Sequence, residues 1–198
     1  MENFSDFLKV AAPHWDSEFK RIASVLFNDY CISANKLEYD ILEVEFYYDY
    51  SPAHKDLFIY KKTDKNKSTG NWFFHLSGVD LTFGDPSKEI RGGILIRAIR
   101  RRTTDSGKPQ YIIGPLRTML EILNNILPIK ENGELKLQLI PKIQLVKYSP
   151  ELMKRKGLPD KPGSEKEYRF VNNLNEIKDN ITPSMFKQYY VNEEQQPQ

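Results

Sequence analysis

The residues best suited to chemistry lie in one short stretch, from Ile41 to His54. Alternation through Glu43, Glu45 and Tyr47 predicts a β-strand that places two carboxylates and a tyrosine ring on one face. A carboxylate walled by aromatic rings is partly desolvated, which raises its pKa and makes it a better base. The stretch therefore predicts a pocket that stacks a flat ligand and activates a water molecule beside it.

The other face of that predicted strand is apolar and indicates ordinary core packing. It consists of Leu42, Val44 and Phe46. A strand of this pattern needs one buried face and one face that can carry polar groups.

Arg97 is the second candidate for chemistry. It lies in a predicted strand and shares a face there with Leu95 and Ile99. An arginine with apolar neighbours needs a carboxylate, phosphate or carbonyl partner. Two interpretations stay open: a structural ion pair, or a guanidinium that holds Glu45 together with a water or a phosphate.

Two histidines and two aspartates are the residues from which a metal site could be built. His54, His75, Asp80 and Asp85 match no spacing typical of metal ligands, so neither a metal ion nor a cofactor is expected. His75 follows an aromatic run and is either a hydrogen-bonded structural histidine or part of a ligand pocket.

Basic residues cluster at two places. Positive charge at strand ends beside aromatic residues suits a nucleic-acid backbone, although a solvated loop explains the pattern as well. The clusters are Arg97, Arg100, Arg101 and Arg102, and Lys61, Lys62, Lys65 and Lys67.

Size and composition predict one soluble domain. The chain has 198 residues, of which 39% are hydrophobic and 28% charged. Its formal net charge of +2 means that nucleic acid would have to bind at local clusters. A single cysteine, Cys31, excludes an internal disulfide framework and fits a reducing cytoplasm. No signal peptide and no stretch of roughly 20 apolar residues is visible, so no membrane partner is expected.

The predicted elements give an α+β domain. Short polar turns between strand-like segments favour antiparallel pairing. A helical segment is expected within 1–30, capped by Asp16 or Ser17, and packed on a domain that spans 31–189. The expected apolar stripe of this helix is Phe19, Ile22, Ala23, Leu26 and Phe27. The tail 190–198 is expected to be disordered. Strands are predicted at 38–48, 56–61, 71–76, 80–83, 92–99, 109–113, within 135–147 and at 167–171.

A second helix is predicted to begin at Gly114-Pro115 and to close at Pro128. Its expected apolar stripe is Leu116, Met119, Leu120, Leu123 and Ile126.

The order of these motifs resembles the alkyladenine (3-methyladenine) DNA glycosylase family. The family has a Glu-Thr-Glu-Ala-Tyr strand before a histidine, a Gly-x-x-Tyr-Val-Tyr hairpin, a Leu-Leu-Arg-Ala strand, a Gly-Pro helix start, then Arg-Val-Gly-Val and Arg-Phe. The corresponding segments here are Glu43-Val-Glu-Phe-Tyr47, Gly70-Asn-Trp-Phe-Phe-His75, Ile94-Leu-Ile-Arg-Ala98, Gly114-Pro115, Arg155-Lys-Gly-Leu158 and Tyr168-Arg-Phe170.

The resemblance implies a fold and an activity. The fold would be a single α+β domain with a curved, mainly antiparallel sheet flanked by helices. The activity would be that of a monofunctional DNA N-glycosylase, a monomer acting on a damaged or modified base in double-stranded DNA. Glu45 would be the general base, and Arg97 would help to place the attacking water. The residues expected to sandwich the flipped base are Tyr47, His54 and either Phe74 or His75.

Two positions depart from the family pattern. The family's helix-wedging tyrosine falls near Ser77, and its guanine-rejecting asparagine falls near Gly84 or Asp85. A glycine at that position predicts a wider pocket. The resemblance therefore does not imply an alkylpurine substrate, and a different modified base, including a bulky one of phage DNA, is an alternative. The residues expected to contact DNA are Ser77, Arg100, Arg101 and Arg102.

Two other classes of function stay open. The first is a non-catalytic binder of modified or distorted DNA, which would keep the aromatic pocket and the arginines without activating water. The second is a small-molecule hydrolase whose pocket holds a nucleoside. A glycosylase that defends against phage DNA is a variant of the leading hypothesis.

Overall fold

A 13-residue strand runs through the centre of the molecule, and most other elements are built around it. The computed structural model describes residues 6–11, 13–61, 63–102, 107–143 and 146–191. The helices are α1 (Trp15–Asp29), α2 (Pro115–Leu123), α3 (Leu174–Asn180) and α4 (Pro183–Tyr190). The strands are β1 (Tyr30–Ala34), β2 (Leu37–Asp49), β3 (Thr69–His75), β4 (Gly78–Phe83), β5 (Arg91–Arg101), β6 (Gln110–Ile113), β7 (Leu137–Pro141), β8 (Glu151–Met153) and β9 (Arg169–Val171).

The nine strands form one antiparallel sheet in the order β3-β4-β5-β2-β1-β7. Strand β6 extends the sheet beside β5, and β9 pairs with both β2 and β8. Together with the four helices, this curled half-barrel makes a single α+β domain in the described part of the chain. The predicted α+β class with a curved antiparallel sheet is confirmed at that level.

The main core lies between α1 and the inner face of the sheet. The helical spacing of Phe19, Ile22 and Leu26 aims their side chains at the sheet, where all three are fully buried. The ring of Phe19 stacks on that of Phe46 with centroids 4.8 Å apart. The predicted stripe of this helix is therefore confirmed. Its predicted cap is wrong, because the helix begins at Trp15, after an N-cap residue that makes no side-chain cap bond.

A bulge in the central strand changes which residues share a face. The pairing of β2 with β5 shifts around Glu43, which opposes Ala98, and the extra residue moves Leu42 out of register. Leu42 consequently packs with Ala98 in a second, smaller core cluster, away from Val44 and Phe46. The prediction that Leu42 shares a face with Val44 and Phe46 is wrong.

The same irregularity affects β5. Ile99 packs in the main core, whereas Leu95 lines a cleft on the outer face together with Arg97. The prediction that all three share one face is wrong for Ile99.

The segment predicted as a strand at 56–61 is an irregular loop. The Asp56 carboxylate accepts backbone N–H groups of Tyr48 at 3.3 Å and Phe58 at 3.0 Å. Side-chain bonds of this kind offer the backbone an alternative to a sheet ladder.

Helix α2 and the C-terminal region also differ from expectation. Helix α2 ends at Leu123 and buries Thr118 and Ile122, while Leu116 and Leu120 are about half exposed. The predicted stripe is therefore wrong for Leu116 and Leu120, whereas Met119 packs against the main core. Strands β1 and β8 and helices α3 and α4 were not predicted. Of the tail predicted at 190–198, residues 192–198 lie outside the described residues.

No helix in the described ranges has both the length and the apolar composition needed to span a bilayer.

Replacing Phe46 with alanine should lower the free energy of unfolding by about 3–5 kcal/mol, because a buried ring is lost from the main core. Urea unfolding followed by circular dichroism measures this change. The matched control is Ile143→Ala, whose side chain is 91% exposed and which should stay within about 0.5 kcal/mol of wild type. Equal effects of the two variants would contradict the assigned core.

Candidate functional site

Two carboxylates and two guanidinium groups are buried together on the outer face of the sheet. Arg97 donates from Nε to Glu43 Oε1 at 2.7 Å and from Nη1 to Glu45 Oε2 at 2.9 Å. Arg169 donates from Nε to the same Glu43 oxygen at 2.7 Å. We call Glu43, Glu45, Arg97 and Arg169 the buried quartet; its formal charges sum to zero. The acid and the guanidinium that the sequence singled out, Glu45 and Arg97, are therefore in contact.

Glu45 is fixed by three neighbours. Besides Arg97, the Tyr47 hydroxyl donates to Oε2 at 2.8 Å, and the backbone N–H of Lys156 donates to Oε1 at 2.7 Å. Its side chain is 0% exposed. Burial, then the Glu45 carboxylate beside it, raises the pKa of Tyr47, so this hydroxyl stays a hydrogen-bond donor.

Glu43 is the electrostatic anchor of the quartet. Burial opposes its ionisation, but Arg169 and Arg97 outweigh burial and hold the pKa of Glu43 below its ordinary value. Arg169 also ties the quartet to α4, because its Nη2 donates to the Tyr189 carbonyl at 2.7 Å and its guanidinium lies 5.3 Å from the Tyr190 ring centroid.

A cleft of about 360 Å³ opens beside the quartet. Arg97 lies in its wall, with two of its three nitrogens bound to Glu43 and Glu45. Its third nitrogen, Nη2, donates to no residue in the described part of the chain. The cleft can therefore offer a ligand one charged donor. Other residues in its wall are Tyr47, Ser77, Leu95, Lys156 and Tyr189.

His54 does not join Tyr47. Its Nδ1 lies 2.8 Å from the Tyr48 carbonyl and its Nε2 lies 2.9 Å from the Tyr168 hydroxyl. Its ring packs against Trp15 on the inner side of the sheet. Successive residues of a strand point to opposite faces, so a histidine packed with Tyr48 is on the wrong side for Tyr47. The expected sandwich of Tyr47 and His54 is not formed.

Phe74 and Gly84 also lie away from the cleft. Phe74 packs against the main core. A Cβ at Gly84 would lie 2.3 Å from the Asn66 carbonyl oxygen, so glycine is required there by the close approach of two backbone segments. Gly84 lines a different cavity, with Tyr48, and it does not widen the cleft.

His75 lies on the cleft face. Phe73, Asp80, Leu95 and Glu45 are consecutive cross-strand partners, and such partners share a face. His75 follows Phe73 by two residues and lies with its Nε2 3.1 Å from Asp80 Oδ1.

The arginines expected to contact DNA are largely engaged within the chain. Arg100 donates to Asp40 at 2.7 Å and pairs with Glu176, while Arg102 lies 3.2 Å from a Glu38 oxygen. Neither these two nor Arg101 lines the cleft. In the lysine cluster, Lys61 pairs with an aspartate and Lys67 with two acids; Lys62 lies outside the described residues.

Several residues of the site were not predicted. Alternation places Glu43 on the face of Glu45, but no pattern in the sequence indicates that Glu43 binds Arg97. Lys156 and Tyr189 come from a loop and a helix far along the chain, and no local pattern indicates their place in the cleft.

Among the described residues, no group of three or more His, Cys, Asp or Glu is placed to hold a metal ion.

No protein-family model, no curated protein and no solved structure matches this chain.

Replacing Glu43 with glutamine should lower the free energy of unfolding by about 3–5 kcal/mol at pH 7, because two buried guanidinium groups lose their shared anion. Glu43 has a depressed pKa in the folded state, so its contribution is present above the ordinary value of 4.5 and is lost as pH falls through the folded pKa. Urea unfolding between pH 3 and 7 should show the gap between wild type and variant narrowing in acid.

Glu131→Gln, at an exposed position, is the control and should leave stability unchanged at every pH. A gap for Glu43→Gln that stays constant down to pH 3 would contradict ionic stabilisation by this residue.

Proposed function

We propose that this chain is a monofunctional DNA N-glycosylase. It flips a modified base out of the duplex into the cleft and hydrolyses the N-glycosidic bond with a water that Glu45 activates. The observation that carries the proposal is the contact between Glu45 and Arg97 beside the cleft. An ionised carboxylate held by a guanidinium is oriented to take a proton from water, and the surrounding apolar groups strengthen that interaction.

The hydrogen bonds that Glu45 accepts leave one lone pair of its Oε1 atom available for a water molecule. A carboxylate oxygen has two lone pairs, and Oε1 accepts one hydrogen bond, from the Lys156 backbone. The second lone pair can accept a water proton. Arg97 Nη2 can hold the same water or the sugar–phosphate backbone, and the rings of Tyr47 and Tyr189 offer surfaces on which a base can stack.

A hydrophobic side chain next to the cleft can occupy the gap that a flipped base leaves. Leu76 is 93% exposed in the turn between β3 and β4, and it precedes Ser77, which lines the cleft. Exposed leucines of this kind insert between base steps in proteins that distort DNA. Leu76, rather than Ser77, is the residue that we assign to this role.

In this proposal the enzyme works as a monomer on double-stranded DNA in the cytoplasm and without a cofactor. The positive charge needed at the mouth of the cleft would come from Lys156 and Arg97. Both base-excision repair and defence against foreign DNA with bulky bases are consistent with this chemistry.

A non-catalytic binder of modified or distorted DNA is the second candidate. The full burial of Glu45 and its three hydrogen-bond partners favour it, because a carboxylate held in this way also serves as a purely structural anion. Such a protein would use the same cleft and hairpin and would release no base.

Replacing Glu45 with glutamine should reduce base release by about 10²–10⁴-fold, because the amide cannot take the proton of the attacking water. Single-turnover release from duplexes carrying ethenoadenine, hypoxanthine, 7-methylguanine or glucosylated hydroxymethylcytosine measures the effect. DNA affinity should change little. Glu131→Gln serves as the control and should keep the wild-type rate. Binding without release by the wild-type protein would favour the second candidate.

Replacing Leu76 with alanine should weaken binding to modified duplexes by about 10-fold, because less apolar surface fills the helix, while thermal stability stays unchanged. Fluorescence of 2-aminopurine beside the modified base reports the unstacking. Leu120→Ala, at a half-exposed leucine of α2, is the control. Equal fluorescence for both variants would rule out the wedge.

A further inference from the structure

The cleft face of the sheet carries a second acid that the proposed function does not yet use. Glu45, Leu95 and Asp80 are cross-strand partners on the adjacent strands β2, β5 and β4. Directly opposed residues share a face, and two strand spacings put the backbones of the two acids about 10 Å apart. Glu45 and Asp80 therefore flank the cleft residue Leu95 from opposite sides.

A glycine leaves the space between the Asp80 carboxyl and Tyr47 open. Gly93 pairs with Tyr47, and a Cβ on Gly93 would lie 2.6 Å from Asp80 Oδ2. The carboxyl of Asp80 thus leans over Gly93, where β5 contributes no side chain. Tyr47 lines the cleft, and the Asp80 carboxyl lies over Gly93, the cross-strand partner of Tyr47.

The surroundings of Asp80 differ from those of Glu45. Asp80 is 6% exposed, and no arginine or lysine pairs with it among the described residues. Its Oδ1 lies 3.1 Å from His75 Nε2, but the two atoms are not aligned for a hydrogen bond. Burial raises the pKa of Asp80, and His75 offsets only part of that effect.

Residues of β3, of the turn after it and of the loop before it surround His75 and Asp80. His75 Nδ1 accepts the Ser77 backbone N–H at 3.2 Å, which places the proton of a neutral ring on Nε2. The ring of Tyr60 stacks on His75 with centroids 5.9 Å apart. The Lys65 ammonium lies 5.8 Å from the Phe73 ring centroid. These surroundings favour a neutral Asp80.

We infer that Asp80 is the general acid that protonates the departing base, a role that rests on the proposed function. The water oxygen bonds to C1′ of the sugar while its proton passes to Glu45. The bond from C1′ to the base nitrogen breaks with its electron pair on the base, and Asp80 gives its proton to a ring nitrogen. The products are a neutral free base and an abasic sugar with a hydroxyl at C1′. Exchange with solvent returns a proton to Asp80 and removes one from Glu45.

Enzymes that hydrolyse glycosidic bonds commonly use two carboxyl groups, one protonated and one ionised. When the attacking water must fit between the carboxyl groups, they lie roughly 6.5–9.5 Å apart in glycoside hydrolases. In such enzymes the two carboxyl groups have different environments, which determine which one acts as the acid and which as the base. Here Arg97 donates a hydrogen bond to Glu45, whereas Asp80 has the apolar cross-strand partners Phe73 and Leu95 and one histidine beside it.

The test compares wild type and Asp80→Asn on two leaving groups over a range of pH. Hypoxanthine leaves as an anion unless it is protonated, whereas 7-methylguanine carries a positive charge and leaves as a neutral base. Asp80→Asn should slow hypoxanthine release by about 10²–10⁴-fold and 7-methylguanine release by less than about 10-fold. Wild-type release of hypoxanthine should fall as pH rises through the Asp80 pKa, and the variant should lack that fall.

The control is Asp179→Asn, at an exposed position of α3, which should keep the wild-type rates and profile. Circular dichroism melting verifies that Asp80→Asn is folded. If Asp80→Asn retains the wild-type rate and pH profile on hypoxanthine, the role of Asp80 is overturned while that of Glu45 stands. If wild type binds these duplexes and releases no base, both assignments are overturned.

A carbon-13 NMR titration of the carboxyl groups tests the same inference without catalysis. The Asp80 resonance is identified by its loss in Asp80→Asn. It should retain the chemical shift of a protonated carboxyl above pH 3.8, the ordinary pKa of an aspartate. An Asp80 resonance that titrates at or below that ordinary pKa would overturn the inference whatever the activity.

Discussion

The shared hydrogen bonds of the Glu43 carboxylate with Arg97 and Arg169 hold the outer face of the molecule together. Removing two carboxylates and two guanidinium groups from water carries a large desolvation penalty, and packed apolar side chains would often be as stable. The buried quartet is therefore better explained by what it positions than by its net stability. It aligns Glu45, leaves one nitrogen of Arg97 beside the cleft, and attaches α4 through the Tyr189 carbonyl.

The bulge in β2 is what makes this arrangement possible. An extra residue in an antiparallel strand rotates the side chains that follow it. Here it directs Leu42 into the second core cluster and sets Glu43 opposite Ala98, beside Arg97. The irregularity that breaks the apolar alternation thus also brings the acid and the arginine together.

The inner face of the sheet packs the core, and the outer face carries the candidate site. The inner face carries α1 and the aromatic core, including His54, whose ring nitrogens are both engaged. The outer face carries the cleft, the quartet and the pair formed by His75 and Asp80. Because side chains alternate along a strand, a shift of one residue decides whether an aromatic ring or a histidine serves packing or a ligand.

The sequence by itself determined the α+β class, the apolar stripe of α1, and the shared face of Glu45 and Tyr47. These follow from local periodicity, which depends only on neighbours along the chain. Only the tertiary structure decided that Glu43 joins Arg97, that His54 lies on the inner face, and that 56–61 forms no strand. Bulges, loop paths and the approach of Lys156 or α4 depend on partners that are 54–126 residues away along the chain. No local spacing encodes such contacts.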